Sequence, residues 1–403
     1  MARGFHGFSE DRDYDYEVRT VIGYAGARGS DPGEVIGATA GIHGKDHDAW
    51  FEAWNALAQR TAETAATCAS HGHMVSACWA HLRASNYFAV AVNALSSLDR
   101  TDELLPTYQA GRAQWDAFID ASGLRVERIQ IPYEDITMPG CLFRPDARDT
   151  TPLLVGVNGS DGAMPGLWAE CAAGALKRGY SVLLFDGPGQ QSMLFERDVP
   201  FRHDWEKVLT PVLDFAISLP GVDAGRVAVY GVSQGGYWVT RALAFEHRFA
   251  AAVVDPGVVD VSTSWTSNVP HSLLKKLDKG DAVAFDRDMA LGMKLSPKTA
   301  RTWNFRARPY GTTGYADTIA ALREYDATEV AASITTPLLV TSPEGEQFWP
   351  GQSAQLVALT AGVSTLVEFT AAEGAALHCQ PLARGLTEQR IFDWLDHQLG
   401  HAS

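Results

Sequence analysis

"VAVYGVSQGGYWVTRALAFE", residues 227–246, sets an apolar run, a glycine-rich turn and a helical pattern in immediate succession. Gly231-Val232-Ser233-Gln234-Gly235 fits the pattern G-x-S-x-G, which is common by chance. The setting gives it weight. The strand-like "RVAVY" leads directly into it and the helical "YWVTRALAFE" leads directly out, as a nucleophile elbow requires. On such a turn the serine backbone is strained, and side chains two residues before and after would collide, so Gly231 and Gly235 remove them. The new helix also aims its first N–H groups at the serine, which favours developing negative charge.

Outward from the elbow the same grammar repeats. "PLLVGVN" (152–158), "YSVLLFD" (180–186), "RVAVYG" (226–231), "AAVVD" (251–255), "PLLVTS" (337–342) and "STLVEF" (364–369) are near-continuous apolar runs, and helical patterns separate them. Such runs imply a mostly parallel sheet buried on both faces. Before them, "LRVERIQIPY" alternates as a half-buried strand does, and "DITMPGCLFRP" follows after a short turn as its antiparallel partner. The expected sheet therefore has about eight strands in an α/β architecture.

Two regions do not fit the alternation. Residues 1–123 read as helical: "HDAWFEAWNALAQRTAETAATCASHG" puts Trp50, Phe51, Trp54, Leu57 and Ala58 on one stripe. About eighty residues separate the strand ending at Asp255 from the one beginning at Pro337, more than a compact βα unit needs. This stretch, about 257–333, reads as an insertion lying over the sheet's C-terminal edge, where ligands bind in open α/β sheets. The expected division is a helical region 1–123 and a sheet domain 124–403.

A serine hydroxyl needs a base. Of the twelve histidines, His378 stands apart, in "FTAAEGAALHCQPLA" between the last apolar strand and the last helix. The order serine, acid, histidine is the one such a fold uses. "PLLVTSPEGEQFWPGQS" offers Glu344 and Glu346 as the acid, with Glu346 favoured; Asp255 is a third candidate. An oxyanion needs backbone donors. The N–H of Gln234 supplies one, and the loop Asn158-Gly159-Ser160-Asp161-Gly162 the other, through Ser160 or Asp161. Tyr237, Trp265, Trp303 and Arg306 are candidate substrate contacts. Cys379, beside His378, reads as a packing residue.

Composition bounds the alternatives. The 403 residues carry a net charge of −15, 46% hydrophobic and 20% charged residues. That is an ordinary soluble composition, and its acidity argues against nucleic acid as a partner. The first residues have no apolar signal core, and no window is apolar enough to span a membrane, so a cytoplasmic protein is expected. The five scattered cysteines suit reduced thiols. "Cys68-x-x-His71-x-His73" matches no zinc spacing, and "FDGPGQQ" (185–191) lacks the lysine of a phosphate loop. It reads as a turn shaping the site. No metal or organic cofactor is expected, only a small-molecule substrate.

Taken in order, "NGSDG", "FDGPGQ", "GVSQGG", "PEGEQFWPGQ" and "EGAALHCQ" resemble the loops of an α/β-hydrolase. With the helical N-terminal region and its "RASNYF" (83–88), the chain is similar to the group that holds FrsA-like hydrolases, the dihydroxypseudooxynicotine hydrolase and fungal polyketide-shortening hydrolases. The resemblance implies Ser233 as nucleophile, His378 as base and Glu346 at the acid position, where an aspartate is usual. It also implies that the N-terminal helices form part of a cap and contribute to a homodimer interface. Members of this group cleave carbon–carbon bonds beside a ketone, or esters. Carbon–carbon cleavage needs a further proton donor, for which Asp161, Tyr237 and the arginines of the insertion are candidates. The same scaffold also hosts acyl transfer or cyclisation, and non-catalytic binding proteins are built on the same fold.

Overall fold

Eight apolar segments pair into one sheet in the computed structural model, which describes residues 7–146 and 150–401. The strands are β1 (Arg125–Tyr133), β2 (Ile136–Arg144), β3 (Thr151–Val157), β4 (Ser181–Phe185), β5 (Val222–Val232), β6 (Ala251–Asp255), β7 (Leu338–Pro343) and β8 (Ser364–Phe369). Their order across the sheet is β1-β2-β4-β3-β5-β6-β7-β8. β1 and β2 form an antiparallel pair, β2 joins β4 antiparallel, and all later pairings are parallel. β3, β4 and β6 are buried along their whole length, as runs covered on both faces must be.

Side-chain alternation splits the sheet's burial into two cores. Val155, Val229 and Val254 point to one face, packed with Trp205 and Trp238, whose rings stack at 4.5 Å. Leu154, Tyr230 and Val253 point to the other, packed with Trp168 and Phe392. A third core belongs to the N-terminal helices α1 (Arg12–Gly23), α2 (Pro32–Thr39), α3 (His47–Ser70), α4 (Met74–Ala94) and α5 (Thr101–Ala121). The stripe Trp50, Phe51, Trp54, Leu57 and Ala58 lies within it. "RASNYF" holds this region together. Arg83 pairs with Glu34 of α2 at 2.9 Å, Ser85 donates to the carbonyl of Gly111 on α5, Asn86 donates to the carbonyl of Gly29, and Tyr87 donates to Glu34.

Between β6 and β7 the chain forms helices Thr263–Thr266, His271–Asp278, Ala282–Leu295, Pro297–Ala307 and Tyr315–Arg323. The fourth is the least legible in the sequence. Its Pro297 opens the helix, while its Arg, Trp and Asn residues make no apolar stripe for a pattern to catch. This helix meets the N-terminal region: Arg301 donates to the carbonyl of Ser97 at 2.9 Å, and Ser97 and Thr302 hydroxyls lie 3.3 Å apart. The two helical regions thus touch across the C-terminal edge of the sheet. Among the described residues no helix is long and apolar enough to cross a membrane.

Candidate active site

β5 ends in a turn that puts Ser233 at φ 56°, the left-handed region that a side chain tolerates only when its surroundings impose it. The Ser233 N–H is tied to the carbonyl of Asp255, at the end of neighbouring β6, at 2.7 Å. The flanking glycines are dictated by space. A Cβ on Gly231 would lie 2.3 Å from the carbonyl oxygen of Gly235, and one on Gly235 2.7 Å from that of Val157. The helix Gly235–Leu243 then starts with its N-terminus at the serine.

The other groups arrive on separate loops. His378 Nε2 lies 2.9 Å from Ser233 Oγ. Its Nδ1 lies 2.9 and 2.8 Å from the two carboxylate oxygens of Glu346, which follows β7. Both side chains are almost fully buried. Burial alone would raise the Glu346 carboxyl. The neighbouring His378, with the N–H groups of Phe348 and Trp349 at 2.9 and 3.2 Å, outweighs it and holds the group below its ordinary value. Glu344 does not reach the histidine; it accepts the N–H of Ala371 at 2.7 Å. Asp255 is turned beneath the site, where it accepts from Tyr230, Thr341 and Gln380.

His378 is clamped from several sides. Its N–H donates to the Gln347 side chain at 2.8 Å, and the ring meets Phe348 edge-on at 4.7 Å. Tyr16 of α1 donates to its carbonyl at 3.0 Å. The following residues are anchored by Arg384, which donates to the carbonyls of Cys379 and Glu170 and lies 3.8 Å from the buried Asp255. Removing one partner of a buried ion pair strands the other. Arg384→Met is therefore expected to destabilise the fold by about 3–5 kcal/mol, read as a lower urea midpoint.

The loop after β3 approaches the serine closely: a Cβ on Gly159 would lie 3.2 Å from Ser233 Oγ. The Gly159 N–H is already engaged by the Asn158 side chain at 3.0 Å, and Ser160 and Asp161 follow on the same loop. The N–H of Gln234 donates to no acceptor among the described residues. "FDGPGQQ" supports this loop. Gln190 is buried, donates to the carbonyl of Asn158 at 2.9 Å and accepts the N–H of Gly187 at 2.8 Å. Misplacing reacting groups by about 1 Å costs on the order of 10²-fold. Gln190→Ala is expected to lower kcat by about 10- to 100-fold with a smaller change in KM, checked by steady-state kinetics.

The predicted contacts separate. Tyr237 is a correction: its ring is fully buried and its hydroxyl donates to the carbonyl of His203, so it serves the core beneath the insertion. Trp265 and Trp303 are half-buried and meet edge-on at 5.0 Å, while Arg306 is exposed. Tyr310, a further aromatic residue of the insertion, packs on Trp265 at 5.8 Å and its hydroxyl lies 3.2 Å from the side chain of Gln234. Asp161 is exposed.

Comparison with known proteins gives four findings. The Prolyl oligopeptidase family model matches residues 174–280. Hydrolase LUC6 of a Fusarium species is 29% identical over 96% of this chain and 96% of its own. Alpha/beta hydrolase xenA of Xenoacremonium sinensis is 32% identical over 68% of this chain and 66% of its own. The crystal structure of the 2,6-dihydroxy-pseudo-oxynicotine hydrolase superposes with a TM-score of 0.72 at 19% identity, covering 94% of this chain and 95% of that one. At that identity it speaks for the fold.

Proposed function

The chain belongs to the α/β-hydrolases, and on that premise we propose that it is a serine hydrolase working through Ser233, His378 and Glu346 on a carbonyl compound. One observation carries this reading: three side chains from three strand-end loops form an unbroken hydrogen-bonded chain, with every step between 2.8 and 2.9 Å.

Ser233 Oγ attacks the carbonyl carbon as its proton passes to His378 Nε2. The N–H of Gln234 and a donor of the Ser160–Asp161 stretch hold the oxyanion. The bond to the leaving group breaks, and the leaving group takes the proton from His378. Water then attacks the acyl-enzyme and gives its proton to His378, and Ser233 Oγ departs from the acid product by taking that proton from His378. Glu346 fixes the imidazole tautomer and stabilises the imidazolium. The helices of 1–123 and the insertion of 257–333 form the cap over the domain 124–403.

The substrate is proposed to be a β-diketone or aryl ketone cleaved at a carbon–carbon bond, as in polyketide-derived or aromatic compounds. A matched ketone and ester, compared by product analysis, test this choice: faster turnover of the ester contradicts it. Acyl transfer or cyclisation is the second reading, favoured by the contact of Arg301 and Thr302 with Ser97, which joins the two helical regions; such a joined cap would limit water. Hydrolysis in 18O-labelled water puts the label in the acid product; transfer and cyclisation leave it unlabelled.

A further inference from the structure

A cavity of about 40 Å³ lies on the same edge of the sheet as the proposed catalytic groups and shares none of them. α4 and α5 roof it, and its floor is the C-terminal edge of the sheet, where Asp186 follows β4 and Met164 and Pro165 follow the loop after β3. Ser233 follows β5 on the same edge. The order β4-β3-β5 makes the separation two strand spacings, about 10 Å. The cavity is also joined to the oxyanion loop. Gln191 lines it and donates to the carbonyl of Asp161 at 3.4 Å, and the adjacent Gln190 holds Asn158.

Its chemistry is one-sided. Phe88, Val92, Trp115, Met164 and Pro165 make the wall apolar. The charge of Arg112 is already answered by Asp116 at 3.4 Å and Asp186 at 3.8 Å, so an anion gains nothing there. Tyr108 also lines the cavity. It is only 6% exposed, and its hydroxyl proton has no acceptor among the described residues, since the neighbouring Arg112 guanidinium can only donate to it. A buried donor left unpaired is costly, and a ligand oxygen that accepts from it recovers that cost. The volume exceeds what one water needs and suits a terminal group of a few heavy atoms.

We propose that this cavity receives the far end of the substrate, a neutral and largely apolar segment carrying one hydrogen-bond acceptor such as a ketone oxygen. The proposal rests on Ser233 being the nucleophile. It makes the enzyme selective for molecules with a second oxygen about 10 Å from the attacked carbonyl, the span of two strand spacings.

Three fluorophosphonates test it: an ethyl compound, one with a chain of about eight bonds ending in a methyl ketone, and the same chain with a methylene in place of the carbonyl. The second-order rate of labelling of the full-length protein is read for each. The methylene probe is expected to react about threefold faster than the ethyl probe, and the keto probe about three- to tenfold faster again than the methylene probe, the range of one hydrogen bond. Tyr108→Phe is expected to erase the preference for the ketone over the methylene. Ala89→Phe, which fills the cavity from α4, is expected to erase the advantage of both long chains. Equal rates for the keto and methylene probes on the wild type, or a ketone preference that survives in folded Tyr108→Phe, overturn the proposal while leaving the nucleophile in place. Failure of all three probes to label the wild type overturns the nucleophile and this inference with it. Tyr108→Phe is nearly isosteric, so it decides the matter even if Ala89→Phe does not fold.

Discussion

Replacing Ser233 with alanine is expected to lower kcat by at least about 10³-fold while leaving thermal stability within a few degrees of the wild type. The size follows from how the site is built. On the proposed mechanism the adjacent thiol, Cys379, offers His378 and Glu346 no second nucleophile, because it is buried with its sulfur against the carbonyl of Asp255 at 3.1 Å. Burial also pushes that thiol well above its ordinary value, so no thiolate substitutes. What survives in Ser233→Ala is the contribution of the oxyanion donors and of binding. The turn itself depends on Gly231 and Gly235 rather than on the hydroxyl, and for that reason the fold should tolerate the change. Steady-state turnover of any accepted substrate, with a melting curve alongside, checks both halves.

The second large effect is at the acid. Glu346→Gln is expected to lower kcat by about 10⁴-fold, because an amide can present its NH₂ to Nδ1 and stabilise the wrong tautomer of His378. Glu344→Gln is expected to stay within about twofold, since its carboxylate serves the Ala371 N–H on the exposed rim. The Glu346 carboxyl also links stability to pH. Its folded value lies below its unfolded one, so the pairing contributes stability above the ordinary carboxylate range. That contribution is lost as pH falls through the depressed folded value. The melting temperatures of wild type and Glu346→Gln should therefore differ most near neutrality and converge in acid. A gap that widens as the solution is acidified contradicts the assignment.

Much of this arrangement can be read from local sequence. The central strands are continuous apolar runs, and burial on two faces leaves them no other composition. The elbow is legible because its glycines are forced by contacts inside a five-residue turn. Glu346 and His378 each sit on a loop directly after a recognisable strand, and their order along the chain narrows the search. The choice between Glu344 and Glu346 was open because both follow β7 within three residues. Backbone direction at the strand end separates them, turning the Glu346 carboxylate inward to His378 and that of Glu344 toward the turn after β8.

What local sequence hides is what distant segments do to one another. Tyr16 supports the carbonyl of His378 across 362 positions, and nothing in "RDYDYEV" marks that tyrosine among its neighbours. Tyr310 reaches the side chain of Gln234 through the fold of the insertion. Tyr237 shows the converse. It is a candidate substrate contact by sequence, and helical rotation carries it into the core, where it lies 5.6 Å from Tyr325. Gln190 looked like part of a tight turn, and the turn is real; its side chain additionally supports the loop that faces the serine.

The nucleophilic role of Ser233 is tested most directly by treating the protein with a small fluorophosphonate and locating the adduct by peptide mass spectrometry. One adduct on Ser233 is expected, formed much more slowly in His378→Ala. No adduct, an adduct on another residue, or labelling that His378→Ala leaves as fast as before contradicts the account.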